Sequence, residues 1–191
     1  MHSVLAAQET VRLLAWIRGA LEEPVGVPLR LYALLDGARD PRIVPRIEAA
    51  DVEARCLLDG ELHPSLAAAA PYLVALEPAA PFTRALLAEG WGDAWGVLLT
   101  AAAPLDALRR HFRRFLRVAD EDGRPLMFRY YDPRVLRLYL PTCTPDELAL
   151  VFGPVSSYLI EDGEARGGTQ MRLTGAARDR LEALPWSRRA S

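Results

Sequence analysis

The chain predicts an α/β fold: a mixed, mostly parallel sheet flanked by helices, with room for two small lobes. Two observations predict it. Short apolar runs alternate with amphipathic stretches along most of the 191 residues, and 51% of the chain is hydrophobic. The runs are bounded by Asp-Gly, Gly and Pro punctuation, the usual stops of strands and helices. This length suits a domain that buries roughly 70% of its unfolded surface.

The elements follow in order. Residues 8–21 place Leu13, Trp16, Ile17, Ala20 and Leu21 on one helical stripe. The prolines and glycine of EEPVGVP (22–28) make a linker, so residues 1–29 form a helix and linker ahead of a body at 30–162. The run RLYALLD (30–36) reads as a strand buried on both faces. Further strands are expected at 52–58, 72–76, 95–100, 125–131 and 155–160. Helical patterns lie between them at 41–50, 62–70, 82–90, 104–117, 133–140 and 145–152. Two helix starts carry their own signals: Asp132-Pro133 is an N-cap before a first-turn proline, and Thr144-Pro145-Asp146-Glu147 is a capping box. The Gly- and Thr-rich stretch 163–175 and a short helix at 176–184 complete a C-terminal tail, 163–191.

Composition removes several chemistries. All 23 basic residues are arginine, so neither a Schiff-base lysine nor a P-loop lysine is available. Cys56 and Cys143 stand 87 positions apart outside any CxxC pair, and are expected as buried free thiols in a reducing cytoplasm. The first residues lack a basic n-region and a long apolar core, which argues against a signal peptide. The longest uncharged stretch, 62–76, is broken by Pro64 and Pro71 and is too short to span a bilayer. A cytoplasmic protein without membrane attachment is the expectation.

Charge is uneven. Residues 47–93 carry eight acids and two arginines, whereas residues 104–137 carry nine arginines and five acids. Such regions either dock oppositely charged partners or face each other within the chain. In PLDALRRHFRRFLRV (104–118), Leu105, Leu108, Phe112, Phe115 and Leu116 follow core-facing spacing, and Arg109, Arg110, Arg113, Arg114 and Arg117 occupy the other faces. That pattern is either a solvated arginine face or a docking surface for an acidic protein segment. Aromatic residues for base stacking do not interleave on its polar face, so nucleic acid is not expected as a partner.

Other constellations read as structure. His2, His63 and His111 are isolated from any metal-ligand spacing, so neither a metal nor another cofactor is expected. No serine sits in a GxSxG elbow. Asp122-Gly123 reads as a hairpin turn and not as part of a calcium loop. Asp36, at a strand end before Gly37, is a turn residue or, in an alternative reading, the carboxylate of a small cytosolic hydrolase or phosphotransfer enzyme. Arg129 falls in an expected central strand. There it requires a carboxylate partner, with Asp36 a candidate.

Taken together, LYALLDGAR (31–39), APYLVAL (70–76), WGDAWGVLLT (91–100), the arginine helix, DEDGRPLMFRYYDPRVL (120–136) and the FGPV preceding a strand resemble the type VI secretion effector chaperones, or effector adaptors. The likeness covers roughly residues 30–160, and its most specific block is DEDGRPLMFRYYDPR. It implies a non-enzymatic protein that binds a toxic effector in the producing cell and promotes its loading onto the VgrG spike. Asp36, Trp95, Arg129, Tyr131, Asp132 and Arg134 match signature positions, and no catalytic residue is implied. Under this reading Arg109, Arg110, Arg113, Arg114 and Arg117 are the expected partner surface.

Overall fold

Residues 31–36 are buried without a break, as a strand covered on both faces must be. In the computed structural model, which describes residues 5–22, 26–119, 122–163 and 167–186, this strand, β1 (Arg30–Asp36), belongs to a seven-stranded sheet. Its companions are β2 (Ala54–Cys56), β3 (Pro71–Leu76), β4 (Gly96–Ala101), β7 (Val155–Glu161), β8 (Gly168–Thr174) and β9 (Arg180–Trp186), in the order β2-β3-β1-β4-β7-β8-β9. A separate two-stranded hairpin pairs β5 (Arg117–Ala119) with β6 (Pro125–Met127).

The mostly parallel sheet expected above is corrected: every strand pairing is antiparallel. The reason lies in which strands become neighbours. β1 and β2 run in the same direction and are joined through a helix, as a crossover unit should be, yet β3 lies between them and pairs antiparallel with both. Likewise β3 and β4 share a direction across the helix that joins them, and β1 is inserted between them. Strand–helix alternation thus reports parallel strands correctly but does not report the strand placed between them.

The helices are α1 (Ala7–Leu21), α2 (Ile43–Ala49), α3 (Pro64–Ala68), α4 (Pro81–Gly90), α5 (Leu105–Arg113), α6 (Pro133–Tyr139) and α7 (Pro145–Phe152). The two-residue period of β1 sorts them into layers. Tyr32 and Leu34 face a core with Leu108 and Phe112 of α5, Leu136 of α6, and Leu148 and Phe152 of α7. Leu31, Ala33 and Leu35 face a second core with Leu13 and Ile17 of α1, Ile43 and Ile47 of α2, and Leu86 and Leu87 of α4. The sheet is therefore sandwiched between two helical layers.

The caps form as their sequences require. Asp132 accepts the Arg134 amide at 3.0 Å, and Thr144 and Glu147 close their reciprocal box. The short final helix expected at 176–184 is corrected: residues 175–178 turn and residues 180–186 are the edge strand β9. The expected strand 125–131 shortens to β6, so Arg129 lies in the loop after the hairpin and not in a central strand. The expected helix 104–117 ends at Arg113, which leaves Arg117 on β5. Cys56 and Cys143 are free, as expected, but half-buried. Among the described residues, no helix is long and apolar enough to cross a membrane.

Candidate functional site

Strand register brings Asp36, Trp95 and Glu161 to one end of the sheet. Asp36 closes β1 and its amide donates to the Trp95 carbonyl at 2.9 Å, while Leu35 pairs with Gly96 at the start of β4. Two residues into β4, Leu98 pairs with Leu159, so Glu161 at the end of β7 reaches the same edge. The loop from 128 to 132 then crosses this end and leads into α6.

Charge holds the loop in place. The buried Asp36 carboxylate pairs with the Arg129 guanidinium and accepts the Ala38 amide at 3.2 Å, and the Asp36 bond holds the Arg129 pKa above its ordinary range. The Arg129 guanidinium also lies over the Tyr131 ring, 6.0 Å from its centroid. Arg134 clasps Asp132 with two parallel bonds, Nε to Oδ1 at 2.9 Å and Nη2 to Oδ2 at 2.6 Å. Burial acts to raise the Asp132 pKa, but these bonds, the Arg134 amide and the charges of Arg134 and Arg129 outweigh it and lower the value. Phe128 packs on Tyr130 and Tyr139, and Tyr130 stacks on Phe112. The segment 128–134 is thus a clamp that fixes the root of the β5–β6 hairpin to the sheet.

On the opposite face, Glu161 holds the loop before β4. Its carboxylate accepts the Gly92 amide at 2.6 Å and the Ala94 amide at 2.9 Å, and burial raises its pKa to about 7 against the opposing pull of those two bonds. Gly92 and Ala94 both take positive φ, which turns their N–H groups onto one carboxylate. Trp95 is buried beneath Arg42, whose guanidinium lies 5.0 Å from the ring centroid and is tied to Asp40 and Glu89. The sequence reading missed Glu161, Arg42 and Glu89. A lone acid ending an apolar run, the signal that marked Asp36, is present for Glu161 as well.

The arginine helix does not present one surface. Arg109 and Arg113 both reach Asp59 in the loop after β2, and Arg109 also donates to the Cys56 carbonyl at 2.9 Å. Arg110 and Arg114 are exposed on the side of α5 that faces α7, and Arg117 is exposed on β5. The acidic and basic regions therefore meet in part within the chain, with Arg55 bridging Glu53 and Asp106 as well. The hairpin exposes Val118, Leu126 and Met127 at 41, 50 and 49%.

The histidines have structural roles where described. His63 caps α3 by accepting the Ser65 amide, and His111 is buried with Nε2 3.0 Å from the Val151 carbonyl. His2 lies outside the described residues. Among the described residues, no three His, Cys, Asp or Glu side chains group as a metal site.

No significant match to the chain is found among curated proteins or solved structures. Residues 31–150, which hold β1 through most of α7 and the whole clamp, match a family described as Domain of unknown function (DUF4123), and the chain belongs to that family.

Proposed function

We propose that the chain is a non-enzymatic adaptor which binds a type VI secretion effector in the cytoplasm of the producing cell and promotes its loading onto the VgrG spike. Membership of the DUF4123 family supports this reading, because that family is associated with such adaptors. The observation that carries it is the β5–β6 hairpin. It stands outside the main sheet, turns Val118, Leu126 and Met127 to solvent, and is rooted by the Arg129–Asp36 pair. Exposed apolar residues on a rigidly rooted projection suit protein contact. Chemistry at Asp36 is the weaker reading, since its carboxylate is 1% exposed and already engaged by Arg129.

Co-expression with the spike protein and effector encoded beside its gene tests the proposal. The chain should retain both proteins on purification and raise the soluble yield of the effector. Substituting Val118, Leu126 and Met127 together by aspartate should abolish retention without unfolding the chain. A chain that holds neither protein and leaves effector solubility unchanged would refute the adaptor reading.

A further inference from the structure

We infer that the groove between α5 and α7 takes an acidic, leucine-bearing peptide segment from the bound protein partner. The inference rests on the adaptor reading for the source of that segment, but its physical argument is local. Arg110 and Arg114 stand one helical turn apart and form one wall. Neither makes an ion pair among the described residues, in contrast to Arg109 and Arg113, which close on Asp59.

The far wall supplies no internal counter-charge. From Ala149 to Pro154 that side of α7 and the turn after it contain no acid, and Leu150 is 57% exposed beside Pro154. Glu147 at the start of α7 is bound to Thr144. Asp146, beside it, lies outside the groove lining. His111 forms the floor. Its Nε2 faces the Val151 carbonyl, which can only accept, so Nε2 carries the ring proton, and burial followed by the Arg114 charge lowers its pKa. Burial and the Arg114 charge both disfavour the protonated form of this ring.

Gly153 lets the His111 ring pack closely against the turn after α7. Its φ is +44°, and a Cβ there would run into the His111 imidazole. The concavity is about 330 Å³, which suits one or two side chains of a segment and not a folded lobe. Two planar guanidinium forks favour carboxylates, and the Leu150–Pro154 wall favours an aliphatic side chain. An acid-and-leucine segment meets both demands together.

NMR titration of the full chain tests this with two synthetic peptides, one of Asp, Glu and Leu and its counterpart of Asn, Gln and Leu. The acidic peptide should shift the amides of Ala107, Arg110, Leu150 and Gly153. It should bind about tenfold more tightly than the amide peptide, and R110E/R114E should remove that difference. L150S should weaken both peptides while leaving their ratio intact. The spectrum of each variant reports its fold, and R110Q/R114Q serves as the neutral variant if charge reversal perturbs it. Equal binding of the two peptides, shifts centred elsewhere, or undiminished acidic binding by R110Q/R114Q would overturn the groove. Loss of the groove while spike and effector still co-purify leaves the adaptor reading standing. Acidic-peptide binding with neither protein retained does the reverse.

Discussion

Two charged regions of this molecule use arginine in opposite ways. At the end of the sheet, Arg129 and Arg134 are spent on Asp36 and Asp132, carboxylates only 1 and 5% exposed, and the pairs lock a loop to strand ends. On α5 the same residue type divides within a single helix: two arginines close on Asp59, and two face an uncharged wall. Arginine density alone therefore does not define a surface for partners. What counts is whether a buried or neighbouring carboxylate already claims the guanidinium.

The contrast breaks first at Arg129. Arg129→Met leaves the Asp36 carboxylate buried with the Ala38 amide as its remaining named donor, and should cost about 4 kcal/mol, the scale of an orphaned buried charge. Asp36→Asn should cost only about 1 kcal/mol, because Arg129 is half-exposed and water can replace its partner. Urea denaturation of both variants checks the order. Equal costs would mean that the pair contributes through packing and not through the buried charge.

Glu161 sharpens the picture through pH. The fold holds its proton more tightly than the unfolded chain does, with the pKa raised from 4.5 to about 7. Between those values the folded state carries more bound protons, so stability falls as pH rises, by on the order of 3 kcal/mol, and the loss is complete above about pH 7. Asp93 adds to the shift, and Arg137, which donates to the Glu161 carbonyl at 2.8 Å, opposes it. His111 contributes the reverse slope: its folded pKa is lowered, so stability from its neutral ring rises until pH passes 6.5. Denaturation of wild type and Glu161→Gln across this range separates the two. The difference between them should decline with pH, whereas parallel curves would show that Glu161 does not titrate there.

Most of the element order was legible because strands buried on both faces are written as unbroken apolar runs, and because Asp132 and Thr144 announce their helices. Pairing was not legible: nothing in a strand–helix alternation tells that β3 inserts beside β1. β8 and β9 escaped because GTQMRLT and RLEALPW belong to a half-buried sheet margin, where polar residues interrupt the alternation. Leu181, Glu182, Ala183 and Leu184 are moreover good helix formers, and the sheet overrides that preference. For the candidate site, Asp36 was one candidate partner for an Arg129 expected in a central strand. The pair forms, but from a half-exposed loop position that the apolar pattern did not indicate. The split of the α5 arginines was not visible, because Asp59 meets Arg109 and Arg113 only once β2 is laid beside α5.

The smallest expected effect discriminates most finely between the two uses of arginine. R110E/R114E alters two exposed side chains with no ion pair among the described residues, and should change unfolding free energy by less than about 0.5 kcal/mol. R109E/R113E sets two acids against Asp59 and releases the Cys56 carbonyl, and should cost about 1 kcal/mol, a figure limited by the exposure of Asp59 to solvent. Salt separates them further, because screening should shrink the R109E/R113E penalty and leave the other pair unmoved. If thermal melts at low and high salt place the two double variants together, the Asp59 contacts do not hold in solution. All four α5 arginines then belong to one open face, and the division of the helix into a committed side and an available side fails.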